Sequence, residues 1–205
     1  MRQETVDILT IDELSDSAKA AAIEDYRING FNYEWWDSVY EDAKAIGSIL
    51  GITIDKIWFS GFSCQGDGAC FDGSYKYEPG SVKKLKDYAP KDKRLHQIAV
   101  DLSKAQRPAF YHLYATVKQS GRCMHDGCTQ IDVTNLESQY PNDVSEEWHD
   151  GISEALRDFM KWIYRTLETE WDWQSADEQI AETIECNEYE YTADGEMYRR
   201  IKAAA

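Results

Sequence analysis

The sequence predicts an α+β fold with one domain, in which a four-stranded antiparallel sheet of two hairpins packs with amphipathic helices. Three observations predict this class. Stretches with apolar residues at three- and four-residue steps alternate with short β-rich runs. Glycine-containing loops join the β-rich runs in pairs, which is typical of hairpins. The chain has 205 residues, of which 42% are hydrophobic, and this is enough for one packed core. We assign residues 1–202 to a single domain and interpret 203–205 as a cloning scar.

The first quarter of the chain predicts two helices. Ser15 is the predicted N-cap of the first helix, and Asn29-Gly30 ends it by supplying a left-handed residue. The second helix carries apolar residues at helical spacing between Trp35 and Leu50, with acidic residues between them, and Gly51 ends it. We therefore expect a core-facing side and an acidic side on the second helix.

The middle of the chain predicts the sheet and two further helices. Runs at 52–59 and 71–77 form the first hairpin, and alternating residues at 111–118 and 130–134 form the second. Apolar spacing between the hairpins predicts a short helix and a longer one, which Pro108 ends. Because antiparallel strands alternate in direction, we expect both hairpin tips at the same end of the sheet.

The C-terminal third predicts helices. Ser145 precedes an apolar stripe at helical spacing over residues 148–171. Ser175 and Glu178 match a capping box for a second helix. The tyrosines that follow indicate an extended tail.

Charge and hydropathy exclude several classes of function. The chain has 38 acidic and 22 basic residues, a formal net charge of −16. No stretch is apolar over the roughly 18 residues of a membrane span, and the N-terminus lacks the apolar core of a secretory signal, so we expect a cytoplasmic protein. Residues 136–196 hold 18 acidic residues against 3 basic ones. This imbalance disfavours direct binding of nucleic acid and favours a partner with a basic surface.

The predicted partner-binding region is an acidic surface on the helices of residues 145–190. Its carboxylates would create a strong negative field that imitates the phosphates of a nucleic acid. The alternative interpretation is a solvated face that only confers solubility. We assign to this acidic surface Glu168, Glu170, Asp172, Asp177, Glu178, Glu182, Glu185, Glu188 and Glu190.

The most distinctive segment is the glycine-rich loop of the first hairpin, which we call the motif loop. Glycine permits positive φ and close approach of the backbone, so a nest of N–H groups that binds an anion is one interpretation. We favour a structural hairpin loop with Asp67-Gly68 as its turn, because no nucleotide-binding pattern accompanies the loop. The motif residues are Ser60, Gly61, Phe62, Gln65, Gly66, Asp67 and Gly68.

The second hairpin contains a loop with two cysteines and a histidine, residues 120–128, which we call the cysteine loop. If the hairpin tips meet, five residues are candidate zinc ligands: Cys64, Cys70, Cys123, His125 and Cys128. The spacings are not those of a zinc knuckle. We favour buried or half-buried free thiols over a zinc site, and a zinc site over a disulfide, since nothing indicates secretion. We therefore predict no cofactor.

A catalytic site built from the two loops is a further hypothesis. Asp67, Asp72, His125 and Asp126 would serve as acid, base or ligand if the loops assembled a catalytic site, but carboxylates beside glycine are typical turn residues. We expect the side chain of Cys186, in the terminal helix, to pack in the protein interior.

A basic cluster at residues 83–94 has no aromatic platform interleaved with it in the sequence, so we disfavour a nucleic-acid contact there. It is interpreted as a complement to an acidic end of the same chain or of a second copy, which leaves a homodimer open. The cluster consists of Lys83, Lys84, Lys86, Lys91, Lys93 and Arg94.

The residues Phe59-Ser60-Gly61-Phe62 and Gln65-Gly66-Asp67-Gly68-Ala69 resemble a motif of a poorly characterised family of phage and prophage proteins, some labelled antitoxin-like. Trp35-Trp36 and the segment 158–164 resemble the same family, and the resemblance covers most of residues 12–195. It implies a small accessory protein of a mobile element in the bacterial cytoplasm, and it implies no catalytic residues.

These observations predict a non-enzymatic phage or prophage protein that binds and inhibits a host macromolecule. A nucleic-acid-binding defence complex, such as a CRISPR effector or a restriction enzyme, is the expected target, because such complexes expose basic grooves. An antitoxin that neutralises a partner toxin is one alternative. A metal-binding or catalytic protein that uses the loops at 61–73 and 120–128 is another.

Overall fold

The computed structural model describes residues 7–31, 33–140 and 144–198, and the residues 203–205 lie outside this part. The α+β class with a four-stranded antiparallel sheet and a helical C-terminal segment is confirmed. No helix in the described residues is long and apolar enough to cross a membrane. The elements are, in chain order, α1 (Asp16–Asn29), α2 (Asp37–Leu50), β1 (Ile52–Phe59), β2 (Ala69–Lys76), α3 (Ser81–Tyr88), α4 (Lys93–Gln106), β3 (Leu113–Gln119), β4 (Thr129–Asn135), α5 (Glu146–Gln174) and α6 (Asp177–Cys186).

The chain forms two compact units, which we describe separately. The sheet unit comprises Trp36–Glu168, and the terminal unit comprises Met1–Trp35 and Thr169–Ala205. Helix α5 contributes residues to both units. The assignment of residues 1–202 to one domain stays a prediction.

The sheet of the sheet unit has the strand order β1-β2-β3-β4, and all neighbouring strands are antiparallel. The two hairpin tips therefore lie at the same end of the sheet, as expected from the sequence. Alternation along β3 buries Leu113, Ala115 and Val117. A bulge interrupts β1 between Ile54 and Lys56.

Helix α5 covers the sheet with aromatic side chains. The ring of Phe159 meets the ring of Phe71 edge-on, with 6.2 Å between centroids. Phe159 also stacks on Trp162 at 5.7 Å, and the indole N–H of Trp162 donates to Asp92, the N-cap of α4, at 2.8 Å. The stripe predicted from apolar spacing is thus the face of α5 that packs in the core.

The terminal unit has a small core of its own, and its helix α1 begins as predicted. The Oγ of Ser15 accepts a hydrogen bond from the backbone N–H of Ala18 at 3.3 Å. Isolated β-bridges join Leu9 to Tyr191 and Tyr191 to Met197, which confirms the extended tail. The buried residues of this core are Ile11, Leu14, Ala18, Ala22, Ile23, Tyr26, Ile180, Ile184 and Tyr191.

Several predicted element ends are wrong, and each has a local reason. Gly30 has a φ of −86° and is not left-handed, whereas Gly51 ends α2 with a φ of 83° as predicted. The N-cap of α6 is Ala176, without a side-chain cap, so Ser175 does not form the capping box. Strand β3 begins after Tyr111, because this residue has a positive φ of 67°.

Candidate functional site

The motif loop is closed by hydrogen bonds between its two ends. The N–H of Ser60 donates to the carbonyl of Gly68 at 3.0 Å, and the N–H of Gly68 donates to the Oγ of Ser60 at 3.1 Å. The tight turn lies earlier than predicted, because the N–H of Asp67 donates to the carbonyl of Cys64 at 3.0 Å. Its central residues are therefore Gln65 and Gly66, and the predicted Asp67-Gly68 turn is wrong.

The carboxylate of Asp67 holds the motif loop from inside. Its Oδ2 accepts hydrogen bonds from the backbone N–H groups of Cys64 at 2.7 Å and Ser63 at 2.9 Å. These bonds, that of Cys64 above all, lower the pKa of Asp67 and keep it ionised. An external anion would have to displace this carboxylate to reach the same N–H groups. The arrangement favours a structural role for Asp67.

Helix α5 supports the motif loop through Tyr164. The hydroxyl of Tyr164 donates to the carbonyl of Gly61 at 3.1 Å. The ring of Phe62 lies 5.5 Å from the ring of Tyr164 and 6.0 Å from that of Phe59. Partial burial raises the pKa of Tyr164, so its hydroxyl stays a donor at neutral pH. This contact between residues 103 positions apart has no signal in local sequence patterns.

The two hairpin loops touch each other at Gly68. A Cβ added there would lie 2.8 Å from the Cα of His125 in the cysteine loop. His125 is fixed in turn, because its Nδ1 accepts the N–H of Gly127 at 3.0 Å. Glycine at position 68 is therefore explained by the close approach of a neighbouring backbone and not by a positive φ.

Asp126 anchors the cysteine loop to α5. It is a buried residue, and its Oδ2 lies 3.7 Å from the Nζ of Lys161. Lys161 also lies 3.4 Å from Asp158, which pairs with Arg94 at 2.9 Å. The α5 segment 158–164 thus contacts both loops and positions them.

Cys123 and Cys128 form a disulfide within the cysteine loop, which corrects our preference for free thiols at these positions. Their Cα atoms are 6.2 Å apart, a separation that a disulfide bridges. The disulfide removes two of the five predicted zinc ligands. In the described residues, no group of three or more His, Cys, Asp or Glu side chains could hold a metal ion.

The remaining cysteines differ in exposure. Cys70 is buried, and its burial raises the pKa of the thiol to about 11. Cys64 is exposed. Cys186 is also exposed, so its assignment to packing is wrong: it follows the buried Ile184 on α6 by two positions and falls on the outer side.

The carboxylates considered for catalysis serve internal contacts. Asp72 accepts the N–H of Gln119 at 2.7 Å, which ties β2 to β3. Asp67 and Asp126 are engaged as described above. Such an arrangement fixes the geometry of both loops.

The acidic surface can be located residue by residue. On α6, Ile180 and Ile184 are buried, while Glu178, Glu182 and Glu185 are exposed on the other side. Asp172, Asp177 and Glu188 are exposed as well, and Glu168, Glu170 and Glu190 are half-buried. Asp177 pairs with Arg27, and Glu170 accepts a hydrogen bond from Gln174 at 2.8 Å.

Five residues of the acidic surface are exposed and have no ion-pair partner among the described residues. None of the five forms an ion pair with another residue of the described ranges, and all five belong to the terminal unit. We call them the open acidic set. Its members are Asp172, Glu178, Glu182, Glu185 and Glu188.

Comparison with known proteins identifies a family. A family model described as a domain of unknown function (DUF8835) matches residues 35–177, and the chain belongs to this family. No curated protein and no solved structure matches the chain. The matched range contains the sheet, both hairpin loops and all of α5.

Proposed function

We propose that the chain, as a member of this family of unknown function, is a non-enzymatic protein that binds a host macromolecule through its acidic surface. The observation that carries the proposal is the open acidic set, five exposed carboxylates without a described ion-pair partner. A target with a basic groove, such as a nucleic-acid-binding defence complex of the CRISPR or restriction type, would supply the missing cations. The resemblance of the motif loop to phage proteins supports a phage or prophage protein in the bacterial cytoplasm.

The spacing of charge on α6 supports mimicry of a nucleic acid. Glu178, Glu182 and Glu185 follow each other at four- and three-residue steps, which correspond to about 6 Å and 4.5 Å along a helix axis. One strand of B-DNA carries a phosphate about every 3.4 Å along its axis. The distance between successive carboxylates on α6 is therefore of the same order as the distance between successive phosphates on DNA, although the carboxylates lie somewhat farther apart.

The geometry of the loops supports a non-enzymatic role. The polar groups of the motif loop bind each other, and α5 holds the loop through the hydroxyl of Tyr164. In this proposal the loops and the α5 segment 158–164 stabilise the sheet unit, and the terminal unit supplies the open acidic set.

The antitoxin alternative rests on the label that some members of the resembled family carry. In this alternative the acidic surface is again the binding surface, but the partner is a toxin encoded beside this chain. Expression of that toxin without this chain would be lethal. Survival of cells that express the neighbouring gene with this chain, and death without it, would favour the antitoxin over the defence inhibitor.

The test is affinity purification from phage-infected host cells with three baits. The wild type is compared with the triple variant Glu178→Lys, Glu182→Lys, Glu185→Lys. The matched control is Asp87→Lys, Asp132→Lys, Glu137→Lys, which changes the net charge equally at exposed residues of the sheet unit. We expect the wild type and the control to retain a nucleic-acid-binding host protein in low salt and the first variant to lose it. Retention by all three baits in high salt would contradict the proposal.

A further inference from the structure

The sheet unit carries an aromatic platform at the end of the sheet opposite the hairpin loops. Phe110 and Tyr111 precede β3, and their exposed fractions are 80% and 41%. The ring of Tyr111 lies against that of Tyr77, which follows β2, with 4.3 Å between centroids. Two separate chain segments thus bring Tyr77 and Tyr111 together, and the neighbouring Phe110 projects almost fully into water.

The backbone that exposes Phe110 is strained. Phe110 and Tyr111 have φ values of 51° and 67°, in the left-handed region that aromatic residues rarely adopt. The buried side chain of Gln106 holds the turn by forming two hydrogen bonds with the backbone of Leu113, at 2.8 and 3.1 Å. The N–H of Tyr111 donates to the carbonyl of Gln106 at 2.9 Å. A conformation that costs free energy and presents an apolar ring to solvent indicates a role for the ring.

Lysines line two recesses that adjoin the platform at Tyr77. Two recesses of about 690 and 450 Å³ share Tyr77 as a common lining residue. The first recess contains Lys44 and Lys76, and the second contains Lys83 and Lys86. None of these four lysines forms an ion pair with another described residue.

The acidic residue in the lining of the first recess is already paired with a lysine. Glu78, in the lining of the first recess, accepts a charged hydrogen bond from Lys84 at 2.6 Å. Helix α3 begins at the second recess with Gly80 as N-cap and no side-chain cap, so its terminal N–H groups add partial positive charge. Both recesses therefore favour anions.

We propose that this surface binds single-stranded nucleic acid, with phosphates on the four lysines and bases stacked on Phe110 and Tyr111. Proteins that bind single strands without sequence preference combine a positively charged surface with aromatic rings. The sequence pattern disfavours such a contact because no aromatic platform is interleaved with the basic cluster. The fold supplies the rings from other segments. Charges more than about 8 Å apart are largely screened at physiological salt, so the local lysines act on a bound strand more strongly than the net charge of −16.

The first test measures the fluorescence anisotropy of labelled oligothymidylate and oligouridylate with the full chain. The logarithm of the association constant should fall with the logarithm of the salt concentration, with a slope of about −0.7 per phosphate contacted, or about −3 for four lysines. Lys83→Glu with Lys86→Glu should weaken binding at least tenfold. The control, Lys91→Glu with Lys93→Glu, changes the same charge in the same basic cluster but outside both recesses, and should weaken it less than threefold.

The second test separates the ring from the fold. Phe110→Gly removes the ring and relieves the positive φ, so we expect a higher midpoint of thermal unfolding. The same variant should bind the oligonucleotides about tenfold more weakly with an unchanged salt slope, because a base loses its stacking partner.

Three results of these two tests would overturn the proposal. These are no oligonucleotide binding at low salt, an equal loss in the Lys91 and Lys93 control, and unchanged affinity in Phe110→Gly. Competition by poly-glutamate at equal charge concentration also decides the class of ligand. If poly-glutamate displaces the oligonucleotide completely, the surface recognises an acidic protein and the nucleic-acid proposal is wrong.

Discussion

Replacing Gly68 by alanine tests whether the motif loop and the cysteine loop depend on each other. Gly68 is buried, and a Cβ there would lie 2.8 Å from the Cα of His125 and 3.0 Å from its Cδ2. Ordinary contacts of a Cβ are about 3.5–4 Å, so the two backbones must separate by more than half an ångström. Overpacking of this kind costs about 1–3 kcal/mol. For a chain of this length, we expect the midpoint of thermal unfolding to fall by about 4–8 °C at the centre of that range.

The matched control is Gly66→Ala in the same loop. Gly66 is exposed, has no positive φ, and a Cβ there meets nothing within 4 Å. The alanine should leave stability unchanged or raise it by up to about 1 kcal/mol through the unfolded state. Differential scanning calorimetry of the two variants measures the difference, and the NMR resonances of the His125 ring should shift only in Gly68→Ala. Equal midpoints for the two variants would refute the contact between the loops.

Three further predictions concern single groups. A thiol reagent should modify Cys64 and Cys186 in the native protein and Cys70 only after unfolding. Cys123 and Cys128 should react only after their disulfide has been reduced, and four reactive thiols in the native protein would contradict the disulfide. Tyr164→Phe loses the hydrogen bond to the motif loop, so thermal unfolding should show a loss of about 0.5 kcal/mol, and a midpoint equal to that of the wild type would show that the hydroxyl contributes nothing. Asp67→Asn should lower the urea midpoint at pH 7. The pKa of Asp67 is lowered in the folded state, so its carboxylate stabilises the fold above the unfolded-state pKa of about 3.9, and this stabilisation is lost as the pH falls through the folded-state pKa. The urea midpoints of the wild type and Asp67→Asn should therefore converge in acid. A difference between them that does not change with pH would contradict this reasoning.

Local rules predicted most of the fold from the sequence. Gly51 ends α2 because a left-handed residue is needed there. The alternation of Leu113, Ala115 and Val117 set which face of β3 is buried. The exposed position of Glu182 follows from helical periodicity once Ile180 and Ile184 are placed inside.

The contacts that shape the candidate sites could not be predicted, because they join distant residues. Tyr164 reaches Gly61 across 103 positions, and Arg27 reaches Asp177 across 150. Cellular compartment is a poor guide to the disulfide, because the hairpin geometry alone brings Cys123 and Cys128 together. Sequence patterns do not predict the pair of Tyr77 and Tyr111, because the two residues meet only in the folded sheet.

The measurement that tests the central claim most directly is the affinity of the purified host partner for the chain, by isothermal titration calorimetry at several salt concentrations. The acidic surface predicts an affinity that falls steeply with salt. It also predicts that the reversal of Glu178, Glu182 and Glu185 weakens binding at least about 100-fold, because like charges then face each other. The equally charged control variant should bind like the wild type. An affinity that is independent of salt and unchanged by the reversal would contradict binding through the acidic surface.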